Sequence, residues 1–290
     1  MLFGYSLLLP TFVVFALVVL YPIIHGVVMS FSDYTYITVA KGKGFSWNNF
    51  ENYKTIFQNG LFKQLGTTLA FTILTVSFEL VLGMAIALML ENFNSGSGLL
   101  RSLFLMPWTI PSIVTALLWS WLFQAQFGVV NFFLSRLGLI SNANMEWIQN
   151  PKTALMTVIV ANVWRQTPYM LIMLLAALQN VRTDLIEAAT IDGASGVAVF
   201  WNVKIPAIKP VLGTTLITCV MSSFQQFTII YNMTNGGPVD KTTTLSIGAY
   251  KQAFTNMNLG AGASIGVVWM VILVVGISIF NAKTKRFDNI

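Results

Sequence analysis

Six stretches of this chain each run for about twenty residues or more with at most one charged side chain, long enough for a helix to cross a lipid bilayer. They are roughly Tyr5–Met29, Thr68–Leu90, Leu103–Phe123, Thr153–Leu178, Val211–Tyr231 and Gly260–Ala282. The second holds Glu79, the fourth holds Arg165, and the other four hold no charge. Only 9% of the residues are charged and 56% are hydrophobic, whereas soluble domains are about a quarter charged. A chain of this kind cannot clothe a soluble core. The alternation of apolar and polar residues that barrel strands require is absent, which leaves helices. The expected fold class is all-α, a polytopic membrane protein with six transmembrane helices forming a single domain over residues 1–290. The first run has neither a basic start nor a small-residue cleavage site, so it is read as a span and not as a signal peptide.

The scarcity of reactive residues narrows the chemistry. With one cysteine, Cys219, and one histidine, His25, the chain has no intrachain disulfide and no Cys- or His-cluster metal site. An intramembrane hydrolase needs a nucleophile–base pair or a metal, and the supply here is too thin. No catalytic residue, cofactor or metal is expected. The net charge of +6 is scattered, without the dense patch that nucleic acid requires. With six spans both ends lie on one side of the membrane. Basic residues divide almost evenly between the two sides, so the tail "NAKTKRFDNI", directly after the last span, gives the best single vote for cytoplasmic ends.

The loops differ in character. Residues 31–64 form a long polar and aromatic segment containing "FSWNNFENYKTIF", expected to fold at the outer surface, and residues 127–151 are polar enough for a second outer loop. "ENFNSGSG" at Glu91–Gly98 reads as a short turn. "DLIEAATIDGASGVAVFWNVKIP", Asp184–Pro206, is different again. Asp184 suits an N-cap, with Glu187 three residues on to complete a capping box. Gly193 and Gly196 end that helix, a second short piece covers Val197–Val203, Pro206 breaks it, and Pro210 suits the first turn of the next span. By periodicity this is an amphipathic helix–turn–helix lying along the membrane face.

Polar groups inside the spans are the candidates for touching a solute, because hydrocarbon does not tolerate them cheaply. The fourth run carries Asn162, Trp164, Arg165, Gln166 and Tyr169, and the fifth carries Ser222, Ser223, Gln225 and Gln226. Singly, each serves equally well as glue between helices. Together, aromatic platforms beside amides and hydroxyls suit a sugar. Glu79 at mid-span costs about 2.5–3.5 kcal/mol on insertion scales, so it is expected to pair, with Arg165 the candidate partner, or to pack between helices. His25 is expected at the interface near the outer end of the first span.

The spacing within 184–206 carries a family resemblance. Glu187-Ala188-Ala189, three residues, Gly193, nine residues, then Val203-Lys204-Ile205-Pro206 resembles the EAA loop of the inner-membrane subunits of ATP-binding-cassette importers, departing only by Val and Ile at the last two apolar positions. "YNMTNGGPVDKTTTLSIGAYKQAF", Tyr231–Phe254, resembles the T-N-G-G-P segment of the carbohydrate-uptake permeases, notably the larger channel subunit of the maltose type. "FSWNNFENYKTIF" resembles their outer loop, so the likeness runs from Ser46 to the end.

The resemblance implies a permease subunit of a binding-protein-dependent sugar importer, with an oligosaccharide as the solute. Residues 182–209 are then the cytoplasmic coupling loop, Glu187, Ala188, Ala189, Asp192 and Gly193 its ATPase-facing core, and both termini are cytoplasmic. Trp164, Arg165, Gln166, Tyr169, Cys219, Ser222, Ser223 and Gln226 match pocket positions of the maltose permease. Several identities differ, Arg165 and Gln226 among them, so the particular sugar does not carry over. The implied partners are a second homologous permease in a heterodimer, a cytoplasmic ATPase dimer, an extracytoplasmic sugar-binding protein and the bilayer of a prokaryotic plasma (inner) membrane. ATP hydrolysis belongs to another chain, since no G-x-x-x-x-G-K-[ST] loop occurs here. The competing reading is a secondary transporter of a small polar solute, using Glu79 and Arg165 with half-helices broken at Pro107, Pro111 and Pro168. Such carriers show two similar halves, and no internal match is visible.

Overall fold

The computed structural model describes residues 2–91, 97–142 and 144–287. Among them the chain is helical, with no strand beyond isolated bridges of Ser32 with Trp47 and Thr35 with Asn258. In chain order the helices are α1 (Leu2–Phe15), α2 (Tyr21–Ser30), α3 (Tyr36–Ala40), α4 (Glu51–Gln58), α5 (Leu61–Glu91), α6 (Ser97–Thr109), α7 (Ser112–Leu122) and α8 (Val129–Arg136). There follow α9 (Ala154–Gln179), α10 (Thr183–Ile191), α11 (Gly196–Val199), α12 (Ile205–Phe224), α13 (Thr228–Thr234), α14 (Leu245–Tyr250) and α15 (Leu259–Phe287). Residues 92–96 of the turn expected at Glu91–Gly98 lie outside the described residues, as do the last three of the tail.

Five helical stretches are long and apolar enough to cross a membrane: Leu8–Ser30, Leu61–Glu91, Ala154–Gln179, Gly196–Thr234 and Leu259–Phe280. The third apolar run makes the sixth crossing only as a broken one. α6 and α7 meet at 95° around Ile110 and Pro111. Pro111 lacks an N–H and pushes Ile110 out of the helical region, and its own ψ of 140° starts α7 in a new direction. The half-helix reading thus holds at Pro111 alone. Pro107 stays inside α6 and Pro168 inside α9, and around Pro168 buried neighbours stabilise the helix against the lost bond.

The fifth run also departs from expectation. Its helix starts back at Gly196, passes through a single π turn at Phe200–Lys204, and continues as α12. Pro206 does not break it. The Ile205 N–H reaches back five residues to the Phe200 carbonyl, and Pro206 stands at the start of the resumed helix, where a missing donor costs least. Tyr21-Pro22 uses the same device after the π turn Ala16–Leu20. At its other end α12 stops at Phe224, and the chain steps through Gln225–Phe227 before α13.

Contacts divide the chain into Met1–Gly66 with Thr243–Ile290, and Thr67–Thr242. In the first unit α15 packs on α2 and α4. The segment after α2 is folded, as expected. Its backbone is tied by Asp33 N–H to Ser46 O (3.0 Å), Tyr36 N–H to Met257 O (3.1 Å) and Gly260 N–H to Tyr34 O (2.9 Å). The buried amide of Asn52 donates to the carbonyls of Ser30 and Ser32. Phe31 stacks on Trp47 at 5.4 Å, and His25 meets Phe45 edge-on at 5.1 Å.

In the second unit α9 is the central post, packed against α6, α7, α12 and α13. Its apolar stripe, including Met170, Leu171, Leu174 and Leu178, forms one core with Val76, Ala87 and Leu90 of α5 and with Ile208 and Cys219 of α12. Gly83 lets α5 approach closely, since a Cβ there would stand 2.7 Å from Met170 Cγ. Small residues at helix crossings are the usual means of dense packing in lipid, where apolar burial supplies no drive.

Candidate functional site

On α9, Asn162, Arg165, Gln166 and Tyr169 fall at positions i, i+3, i+4 and i+7, one face of the helix. The Arg165 guanidinium donates through Nε to the Ile110 carbonyl (3.3 Å), at the break between α6 and α7, and through a terminal nitrogen to Gln166 Oε1 (3.2 Å). Tyr169 lies 6.0 Å from Trp108 between ring centres. Trp164 points elsewhere. It meets Trp119 edge-on at 5.8 Å and lines a cavity of about 330 Å³ whose other walls, on α5, α6 and α9, are apolar apart from Thr167. The predicted set does not line that cavity together.

Gln226 joins the α9 face across sequence, its amide donating to Asn162 Oδ1 at 2.7 Å. The residues expected on α12 divide. Cys219 and Ser223, one turn apart, are buried, whereas Ser222 and Gln225 are exposed. Adjacent residues on a helix stand about 100° apart, so Ser222 and Ser223 cannot serve one face.

Burial reveals a second polar group that composition only hinted at. Thr72, Thr75 and Glu79 recur at i, i+3 and i+7 on α5, all buried, and none of their side-chain oxygens has a hydrogen-bond partner. Ser223 Oγ on α12 is in the same condition, and the Cys219 thiol lies against the Glu79 carboxyl. The expected pairing of Glu79 with Arg165 does not form. Arg165 is engaged at Ile110 and Gln166. Buried polar atoms without partners are rare in native proteins and mark a place with a further use. The threonine spacing on a hydrophobic helix was the signal to read.

The segment 182–209 takes a defined shape, though its first helix starts differently from expectation. Arg182, not Asp184, is the N-cap of α10, and no side chain caps it. Asp184 sits one turn position further in and pairs with Arg182, where an acid favours the helix dipole. That places Glu187 too far along for a capping box. Arg182 holds the exposed Asp184 carboxyl below the ordinary carboxylate range, chiefly by hydrogen bonding. The far end is as the glycine predicts. Gly193 has φ +82°, and the Ala194 N–H bonds Ala189 O while the Gly193 N–H bonds Thr190 O, a Schellman closure. Ser195 then caps α11 through its hydroxyl.

Glu187, Ala188, Asp192 and Gly193 are exposed, and Ala189 is half-buried. Around them Leu185, Ile191, Val197 and Trp201 also face outward, Ile191 at 86% exposure. Apolar side chains gathered on a charged, solvent-side loop mark an interaction surface. At "TNGGP" the positive φ values fall on Asn235 and Gly236, then on Val239 and Asp240, and not on Gly237. The turn is closed by Thr242, whose hydroxyl donates to Gly237 O at 2.8 Å and meets Thr234 Oγ1 at 2.6 Å.

Over 223 residues the chain is 38% identical to the trehalose/maltose transport system permease protein MalF of Thermococcus litoralis, covering 76% of this chain and 73% of that one. It is 31% identical to the sulfoquinovosyl glycerol transport system permease protein SmoG of Agrobacterium fabrum, covering 90% and 83%. The fold matches a chain of a bacterial ABC transporter involved in the import of the acidic polysaccharide alginate, with TM-score 0.83, 22% identity, and 98% and 95% of the two chains covered. Residues 79–288 match the family described as binding-protein-dependent transport system inner membrane component. The family match takes in residues 182–209, α9 and α12 alike, and it sets aside the secondary-transporter reading. The chain belongs to the inner-membrane permease components of binding-protein-dependent transport systems.

Proposed function

We propose that this chain is one channel-forming subunit of an ATP-driven importer of a sugar, with residues 1–290 acting as one permease domain. The observation that carries the reading is the polar face of α9, Asn162, Arg165, Gln166 and Tyr169, tied to the end of α12 by the Gln226–Asn162 bond. Amides, a guanidinium and aromatic rings on one wall suit a solute with many hydroxyls and apolar ring faces. The relatives named for trehalose/maltose and sulfoquinovosyl glycerol support a sugar class. Trp164, Arg165, Gln166, Tyr169, Cys219, Ser222, Ser223 and Gln226 form the proposed solute set, an oligosaccharide being the expected size.

In this reading a second, homologous permease completes the channel as a heterodimer, and an ATPase dimer docks on residues 182–209 through Glu187, Ala188, Ala189, Asp192 and Gly193. Both termini share the cytoplasmic side with that loop. A binding protein delivers the solute at the opposite face, as the alginate transporter's complex with a pentasaccharide-bound periplasmic protein does for its own. ATP binding favours one orientation of the permease pair and hydrolysis resets it. The cycle needs nothing more than a nucleotide with different affinity for two states.

The test is uptake into vesicles holding the complete complex, across mono- and oligosaccharides, with Gln166→Ala and Tyr169→Ala beside wild type. Uptake at limiting sugar should fall in both variants while the complex still assembles. Wild-type uptake by both would remove the α9 face from the solute path.

A further inference from the structure

The loop at 182–209 follows α9 at its first end, and two further links run from its second end. One is covalent: α11, the π turn Phe200–Lys204 and α12 form one unbroken helical path. The other is Lys204, whose Nζ donates to Glu91 Oε2 at 2.7 Å, 113 positions away at the end of α5. Both side chains are largely buried, at 16% and 13% exposure, against 73% and 59% for Arg182–Asp184. Close by, Leu90 of α5 and Ile208 of α12 share one apolar core, with Val203 and Ile205 packed against it. A groove of about 390 Å³ separates Leu88 of α5 from Val197, Phe200 and Trp201, with the Lys204 stem in its wall. The ion pair is the tie across that groove.

A half-buried pair gives up hydration for its mutual attraction, so its net stabilisation is small, but cutting one partner strands the other charge. Such pairs are better suited to fixing geometry than to adding stability. Glu79 lies twelve residues before Glu91, about 18 Å along α5, and there it meets Cys219 of α12. The two helices thus meet at the loop and again at mid-span.

We propose that Lys204 and Glu91 are positioning residues that make α5 move together with α12 when the loop is displaced, keeping the Glu79–Cys219 contact closed through the transport cycle. The inference rests on the coupling role proposed above for residues 182–209. Without the tie, a displaced loop would move α9 and α12 with only the apolar core to carry the end of α5, and that contact would open.

Cys219 is this chain's single cysteine, which makes the test direct. The complete complex, with cysteines of the other subunits replaced, is treated with a maleimide at rest and with ATP and vanadate. Wild-type Cys219 should stay protected in both conditions. Lys204→Met should leave it protected at rest and speed its labelling about tenfold with ATP and vanadate. The charge exchange Lys204→Glu with Glu91→Lys should restore protection. Protection of Cys219 in an assembled Lys204→Met complex overturns the proposal, and so does exposure in an assembled exchange variant. Should Lys204→Met fail to assemble, the exchange variant alone decides. Gly193→Asp separates the two readings. If it keeps wild-type ATPase attachment and binding-protein-stimulated hydrolysis, the coupling role fails. If it loses them while Lys204→Met stays protected, the tie alone fails.

Discussion

Gln226 and Asn162 hold the end of α12 against α9 through one hydrogen bond of 2.7 Å spanning 64 residues of sequence. Asn162 is buried to 2% exposure, so its carbonyl oxygen has no access to water when the partner is lost. Gln226→Ala should lower the stability of the complex by about 1–3 kcal/mol, the penalty of an orphaned buried acceptor. Uptake should fall further than stability alone explains. Adding Asn162→Ala should recover part of the melting temperature but none of the uptake, which thermal unfolding and vesicle transport measure side by side.

Gly83 and Met170 mark a close approach of α5 to α9. Gly83→Leu should prevent assembly of the complex. Gly83→Ala should cost about 1–3 kcal/mol, the range for overpacking a filled interface. Met170→Ala in the same chain should return most of that loss. A melting series of the two single variants and the double variant shows whether the costs couple.

Gly193 meets no atom within 4 Å of an added Cβ, so space does not restrict it, whereas φ of +82° does. Gly193→Val should cost about 1–2 kcal/mol through left-handed backbone strain, and Gly193→Asn clearly less. Binding-protein-stimulated hydrolysis should follow the same order, wild type, Asn, Val. Equal hydrolysis in all three would mean that the Schellman turn is irrelevant to docking.

Arg182 and Asp184 give a pH prediction with a definite sign. The Asp184 carboxyl is held below its ordinary value of 3.8, first by the hydrogen bond from Arg182. A carboxyl lowered in the folded state adds stability that is complete above the unfolded value and lost as pH falls through the folded one. Between about pH 5 and pH 8 the pair's contribution is constant. Asp184→Asn should therefore shift hydrolysis by a constant factor there, without changing the shape of the profile. Both groups are fully exposed, so added salt should shrink that factor.

Val239 is 76% exposed in the turn after "TNGGP", and the proposed topology puts that turn outside. In a Cys219→Ser chain, Val239→Cys should react with a membrane-impermeant maleimide added to intact cells. Reaction only in inverted vesicles would reverse the orientation of the whole chain.

The apolar runs made the spans legible, because bilayer thickness dictates length and composition together. They could not show that the third run turns by 95°, since Pro107, Pro111 and Pro168 look alike in sequence. Only Pro111 has a neighbour, Ile110, that leaves the helix; around Pro168 buried packing overrides the lost bond. The site was legible as a list of polar types and illegible as a surface. Ser222 and Ser223 are adjacent letters on different faces, and Glu79 found Cys219 instead of Arg165 because partner choice depends on which helices pack. Lys204 and Glu91 stand in separate segments of the sequence, with 113 positions hiding their contact.

The π turn at Phe200–Lys204 has a consequence for angle. A π turn takes in one residue more than an α turn, equivalent to about 100° of rotation about the helix axis. Val197 and Val199 therefore face a compass bearing that the periodicity of α12 alone would not assign them. Removing one residue between 200 and 204 would leave a regular helix of almost the same reach, yet swing the docking surface by roughly a quarter turn relative to Cys219 and Ser223. The extra residue sets the phase between the two ends of the helix.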